Sequence, residues 1–395
     1  MDEKRNISRS PRRRSPLQLN RRLQGQLLSW LLIIMIAGFL IVGLAIKDKD
    51  FSDTENRNLT RFPKLTFSGV LDGSFLQNLG DYVADQFPGR NFWISVNLKA
   101  NQLLGRKEAG GVYLCGEYLI QIPSEPNWEQ AERNLAAVDA FSEKYPELNM
   151  VMSVVPNSVV INSALLPENA PVRDQLSDLD WIDEQLEKVP FVDVTEALQA
   201  HDDEYLYYKT DHHWTSLAAK YAFHALAEPL KIRPVEESAY TSYLVSNSFE
   251  GTLSSKSGSH AATDSVEIYI PHTNIDYYVS YADTGEKISS FYRRSALTAK
   301  DHYTVFFGGN YSRIDVTTTA DTERALLIFK DSYANCMVQF LYPYYDHITI
   351  IDPRYYYDNI DLVVKSEGIT DVLFLYNADT FLGDTSLADV LLSGD

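Results

Sequence analysis

Twenty consecutive residues, Leu27 to Ile46 (LLSWLLIIMIAGFLIVGLAI), carry no charge, and Lys47-Asp48-Lys49-Asp50 ends the run abruptly. About 20 apolar residues is the length a helix needs to cross the hydrocarbon core of a bilayer. A helix is also one of the few structures that satisfies its own backbone polar groups in lipid. A buried core helix normally keeps a polar face, and the apolar region of a cleaved signal peptide is shorter, about 7–15 residues. Gly43-Leu44-Ala45 does fit a small-residue cleavage pattern, so a processed leader stays open beside the preferred reading, a single-pass anchor. Residues 1–26 hold Arg12-Arg13-Arg14 and Arg21-Arg22 against two acids, Asp2 and Glu3. Basic flanks stay in the cytoplasm. The expectation is a basic cytoplasmic tail (1–26), a transmembrane anchor (27–46) and export of everything beyond.

The full 395 residues carry a net charge of -19. Because the tail is basic, the exported part is more acidic still, which argues against a nucleic-acid partner, since that needs a basic footprint. Cys115 and Cys336 are the two cysteines. Disulfides are therefore not the stabilising strategy of a domain this size, and free thiols are expected. Residues 47–110 read as a membrane-proximal helical region, with Leu76, Leu79, Tyr82 and Val83 at helical spacing and a break at Asp85-Gln-Phe-Pro-Gly-Arg90.

From 111 to 395 an α/β alternation is legible. Apolar strands are expected at 148–155, 191–194, 324–329, 347–351 and 369–376, with helices at 128–145, 181–189, 215–226, 332–341 and 361–367. Apolar strands separated by helices imply a parallel sheet covered on both faces. Residues 235–319 break the pattern, being rich in Ser, Thr, Tyr and Gly with alternating runs such as 266–270 and 277–281. They read as a β-rich insertion.

Two segments carry chemistry. Asp211-His212-His213-Trp214 offers a carboxylate and an imidazole two residues apart, and Lys330-Asp331-Ser332 offers a serine at the end of an apolar strand. Residues two apart in an extended loop share a side, so Asp211 can orient His213. Ser332 opening a helix at a strand's carboxyl end would sit where ligands bind in open α/β sheets, with backbone N–H groups able to donate to an oxyanion. Bland alternatives stand beside each reading: a surface loop for the histidines, a helix cap for Ser332. A metal site on Asp211, His212 and His213 is a third option, but adjacent ligands are geometrically awkward and no distant cluster completes them; no metal or other cofactor is expected.

The segments ENRNL (55–59), DQFPGR (85–90), GVYLCGEYLI (111–120), VPNS (155–158), YYKTDHHWT (207–215), GTLSSKSG (251–258), FFGGN (306–310) and KDSYAN (330–335) resemble the DHHW protein family. That family is similar to the SGNH-hydrolase-like proteins of alginate O-acetylation, whose domain is circularly permuted. The resemblance implies an SGNH-hydrolase-like α/β fold and places Asp211, His213 and Ser332 at the positions of a catalytic triad. It also puts Asn377 at the oxyanion asparagine. Arg354 lies where the SGNH glycine would be, so that donor is missing. Trp214, which could stack on a sugar face, His212 and Arg354 are the expected substrate contacts. The implied function is a membrane-anchored, extracytoplasmic serine esterase or O-acetyltransferase acting on a cell-envelope polysaccharide. Moving an acyl group across the membrane would require a separate multi-span partner. The alternative is a non-catalytic glycan-binding or assembly protein on the same scaffold.

Overall fold

The computed structural model describes residues 16–49, 51–52 and 57–393. Most of the expected cytoplasmic tail, including Arg12 to Arg14, lies outside the described residues, as do Glu55 and Asn56 of the ENRNL segment. The chain divides into two compact units, the first reaching Trp93 and the second beginning at Ile94.

The first unit contains α1 (Pro16–Ala45), whose stretch Leu23–Gly43 is long and apolar enough to cross a membrane and is not buried by protein. It also contains α2 (Ser74–Asp85) and the first turn of α3 (Arg90–Leu103). The break between α2 and α3 falls at Pro88-Gly89, as proline chemistry requires, with Gly89 at φ 69°.

The second unit is built on one seven-stranded sheet. In chain order its elements are α4 (Trp128–Lys144), β1 (Asn149–Val155), α5 (Gln175–Gln185), α6 (Ser216–Ala227), β2 (Tyr240–Phe249), α7 (Thr252–Ser257) and β3 (Asp264–Pro271). There follow β4 (Tyr277–Tyr281), β5 (Lys287–Ile288), β6 (Arg313–Thr318), β7 (Ala325–Lys330), β8 (His347–Ile351), α8 (Ile360–Ser366) and β9 (Asp371–Asn377). The sheet order is β5-β4-β6-β8-β7-β9-β1. Strands β8, β7, β9 and β1 run parallel, and every residue of β7 and β9 is buried. Side-chain alternation splits them between two cores. Leu326 and Ile328 of β7 join Trp214, Phe223 and Tyr303 on one face, while Ala325, Leu327 and Phe329 join Phe141 and Val363 on the other.

Three expectations are corrected. The sheet is mixed rather than wholly parallel: β6 pairs antiparallel with β8 (Ile314↔Ile350, Val316↔Ile348), and β4 and β5 continue outward. The β-rich region therefore extends the main sheet and covers the edge that β8 would otherwise expose, while β2 and β3 form a separate antiparallel pair. Residues 191–194 make a single bridge, Met152↔Phe191, instead of a strand. The helix expected at 332–341 is a 3-10 turn, Ser332–Cys336, followed by one α-turn, Val338–Leu341.

Candidate active site

The 211–214 loop is pinned at both ends. Tyr207 and Trp214 form an antiparallel bridge, the Tyr208 N–H donates to the His213 carbonyl at 3.2 Å, and Thr215 N-caps α6 through the Ala218 N–H at 3.3 Å. The 330–335 turn enters from the carboxyl end of β7. Its cap is Asp331, whose Oδ1 accepts from the Tyr333 N–H at 2.8 Å. That leaves the Ser332 hydroxyl without a capping duty.

The two segments meet. His213 Nε2 lies 2.7 Å from Ser332 Oγ, and His213 Nδ1 lies 2.5 Å from Asp211 Oδ1. Asp211 is buried, and its two oxygens are fully engaged. Oδ1 also accepts from the His213 backbone N–H (3.0 Å), and Oδ2 accepts from the Thr252 N–H (2.7 Å) and the Thr252 hydroxyl (2.9 Å). Burial alone would raise the Asp211 carboxyl. The adjacent imidazoles and the donors from His213 and Thr252 outweigh it and hold the group far below the usual carboxylate range. Donor atoms of Asp211, His212 and His213 lie within 4.8 Å of one another, yet the carboxylate of that set already serves four hydrogen bonds.

His213 is clamped on its open face by Tyr303, a residue of the β-rich region that the sequence did not single out. The two rings stack at 3.8 Å between centroids and 14° between planes, and the Tyr303 hydroxyl donates to the Ser332 carbonyl at 2.9 Å. One buried side chain thus fixes both the imidazole plane and the serine backbone. Asp301, which caps this turn through the Tyr303 N–H at 3.1 Å, has its carboxyl pushed up to about 6 by burial and by Asp211 nearby, against the opposing pull of His213.

The remaining expected site residues fall differently. Trp214 is wholly buried, with Nε1 donating to the Tyr333 carbonyl at 2.9 Å and its ring stacked on Tyr333. It cannot stack on a sugar; its bulk belongs to the core beneath the serine turn. Asn377 ends β9, but both hydrogens of its side-chain amide are engaged, one by Asp331 Oδ2 and one by Thr380 Oγ1 at 2.7 Å. The expected oxyanion donor instead fastens the Asp331 cap. The Ser332 N–H has no acceptor among the described residues. His212 is partly exposed, its Nδ1 2.8 Å from Thr252 Oγ1, and burial together with His213 pushes its imidazole down to about 3. Arg354 is partly exposed and makes a bidentate pair with Asp352 (2.8 and 2.6 Å). Asp352 also lies 3.7 Å from the buried Lys330, whose ammonium burial pushes down to about 8. Cys115 and Cys336 are both free, and burial pushes the Cys336 thiol up to about 12.

Residues 113–288 match the family described as an SGNH hydrolase-like domain, acetyltransferase AlgX. That stretch contains Asp211 and His213 and stops before Ser332. No curated protein matches the chain. Among solved structures, a DHHW family protein from Eubacterium siraeum superposes with a TM-score of 0.63 at 26% identity, covering 72% of this chain and 96% of that one. PatB1 of Bacillus cereus superposes with a TM-score of 0.60 at 20% identity over 69% and 98% of the two chains. PatB1 is also known with a sulfonyl adduct, a structure that superposes at a TM-score of 0.57 and 19% identity over 68% and 96%. The chain thus has an SGNH-like α/β fold and resembles the DHHW proteins and the SGNH-hydrolase-like acetyltransferases.

Proposed function

We propose that this protein is a membrane-anchored, extracytoplasmic serine enzyme that transfers or hydrolyses acyl groups, acetyl above all, on a cell-envelope polysaccharide. In this reading residues 1–26 are cytoplasmic, 27–46 form the anchor, 47–110 the membrane-proximal region and 111–395 the catalytic domain. The observation that carries the reading is the unbroken Asp211–His213–Ser332 relay, 2.5 Å and then 2.7 Å long.

His213 Nε2 takes the Ser332 hydroxyl proton as Oγ bonds to the acyl carbonyl carbon, and Asp211 holds the tautomer that leaves Nε2 free to accept. The carbonyl oxygen becomes an oxyanion, with the Ser332 N–H as the available donor. The tetrahedral adduct collapses by breaking the bond to the donor's oxygen, which leaves with the proton held on His213. The acyl-serine then passes its acyl group to water or to a sugar hydroxyl by the same steps in reverse. His212 and Arg354, both partly exposed, would contact the glycan, and a separate multi-span partner would supply acyl groups across the membrane. The acetyltransferase description of the matching family supports the reaction class.

A sulfonyl fluoride tests the nucleophile, a choice prompted by the sulfonyl adduct of PatB1. The wild-type chain is expected to gain one sulfonyl group on Ser332 by intact-mass and peptide analysis, with parallel loss of esterase activity. Ser332→Ala should neither label nor turn over an activated acetyl ester while keeping its melting temperature. Full activity in Ser332→Ala would overturn the mechanism. An unlabelled wild type that still binds glycan would favour the non-catalytic alternative.

A further inference from the structure

Within the first unit, the turn between α2 and α3 packs against α1 inside its apolar stretch rather than beyond it. The rings of Phe87 and Phe39 lie 4.9 Å apart, Trp93 meets Phe39 edge-on at 6.0 Å, and a Cβ placed on Gly43 would lie 3.8 Å from Pro88 Cγ. Phe39 and Gly43 both belong to the stretch Leu23–Gly43. At ~1.5 Å of rise per residue, Gly43 sits about 6 Å and Phe39 about 12 Å along the helix from Lys47, the first charge after the run. The headgroup layer is only about 5–8 Å deep on each side of the hydrocarbon core. A turn touching both Gly43 and Phe39 therefore reaches from the headgroup boundary into the outer edge of the hydrocarbon if α1 crosses the bilayer.

The turn is held at that height by the juxtamembrane segment. The Tyr82 hydroxyl donates to Asp48 (3.0 Å), the Lys49 N–H donates to Gln86 Oε1 (3.0 Å), and Gln86 Nε2 returns a bond to the Lys49 carbonyl (2.9 Å). The side chains it presents suit the same layer. Phe92 is 63% exposed and Trp93 44%, with Val83 and Leu76 also exposed on α2. Large exposed apolar groups on the two elements that flank one turn mark an interaction surface, and tryptophan is favoured where one end of the ring is apolar and the other wet.

We propose that Phe87-Pro88, with Phe92 and Trp93, forms a second membrane contact, seated without spanning in the outer interface of the bilayer that α1 crosses. Its partner is the lipid surface itself, and its effect is to fix α2 and the first turn of α3 at a set height and rotation about α1. The proposal rests on the anchor reading of α1.

The test uses the full chain carrying Cys115→Ser, reconstituted in phosphatidylcholine–phosphatidylglycerol vesicles. Cysteines placed one at a time by Leu32→Cys or Phe92→Cys, beside the wholly buried Cys336, carry an environment-sensitive fluorophore, and doxyl lipids bear the quencher either near the headgroup or near the chain end. The Leu32 label should be quenched best by the deep quencher. The Phe92 label should emit blue-shifted and be quenched about twofold or more better by the shallow one. A deep Leu32 label with an unquenched Phe92 label overturns the proposal and leaves the anchor intact. A Phe92 label that is blue-shifted, unquenched by either lipid and sensitive to protein-to-lipid ratio shows another copy covering this face, which also overturns it. A Leu32 label untouched by lipid removes the anchor reading and the proposal with it.

Discussion

Gly251→Ala is a one-carbon change that should disable the relay without touching any of its three members. A Cβ at this position would stand 2.3 Å from Asp211 Cβ, 2.4 Å from its Oδ2 and 2.7 Å from its Cγ. The backbone there is ordinary, with φ -84°, so space and not conformation demands glycine. Carbon atoms rest at about 3.5–4.0 Å, so one side must retreat by more than about 1 Å. Whichever moves, the bonds from the Thr252 N–H and hydroxyl to Asp211 Oδ2 are disturbed, because Thr252 follows Gly251 directly. Overpacking costs about 1–3 kcal/mol, and a hydrogen bond to a charged group contributes about 1.5–3 kcal/mol. A displacement near 1 Å in a catalytic constellation costs on the order of 100-fold in rate. We expect kcat/KM for p-nitrophenyl acetate to fall about 100-fold, with a melting temperature lower by several degrees. Gly383→Ala is the control, since its Cβ would meet the Asp379 and Thr380 carbonyls at an ordinary 3.5 and 3.9 Å; it should match the wild type in both measurements. A Gly251→Ala enzyme with wild-type kcat/KM would refute the assignment of Asp211 to the relay.

Other consequences are as specific. Tyr303→Phe keeps the ring on His213 but removes the part-buried hydrogen bond to the Ser332 carbonyl, worth about 1 kcal/mol; kcat should drop about fivefold with KM unchanged, and Tyr303→Leu should fall further because the stack is lost too. Equal activities of the Phe and Leu variants would show the stack to be idle. Asp301 titrates near 6 in the folded protein against about 3.9 when unfolded. The native state thus holds this proton more tightly, and the group leaves stability intact below pH ~4 while lowering it as pH rises from about 4 to 6. Partial solvent access limits that loss to about 1–2 kcal/mol. Asp301→Asn can still accept from the Tyr303 N–H, so urea unfolding should find it more stable than wild type at pH 7.5 and equal at pH 4. A difference of the same size at both pH values would remove the titration from the account.

Strands buried on both faces were the most legible part of the fold. The runs at 149–155, 325–330, 347–351 and 371–377 are apolar for most of their length, and such runs suit parallel strands with cover on each side. Thr215, by its type and place, announced the start of α6. Direction and partnership were less legible. Alternation in 277–281 and 313–318 marks strands with one wetter face, but nothing local says that 313–318 joins β8 antiparallel and that 277–281 then pairs with 313–318; that is set by which edge of the parallel sheet stands open. Residues 191–194 looked like a strand because Phe-Val-Asp-Val alternates, yet four residues hold only one bridge to β1.

At the site, local pairs were readable and long-range supports were not. Asp211 and His213 are two residues apart, so their contact is a property of one loop. Thr252 and Tyr303 act on that loop from 41 and 90 positions away, and neither a threonine opening a short helix nor one tyrosine among 25 carries a mark of its role. The ambiguity at Ser332 was of another kind, since its sequence context fits a helix cap as well as a nucleophile. It resolves one residue upstream. Asp331 takes the cap by accepting from the Tyr333 N–H, and Asn377, placed by the adjacent strand β9, donates through its backbone N–H and its amide to the other Asp331 oxygen. Two oxygens of one buried carboxylate thus tie the turn to its neighbouring strand, and the serine beside it is left with a hydroxyl whose recorded partner is His213. The residue expected to steady an oxyanion steadies the cap instead, so Asn377 can influence acyl transfer only through the position of Ser332.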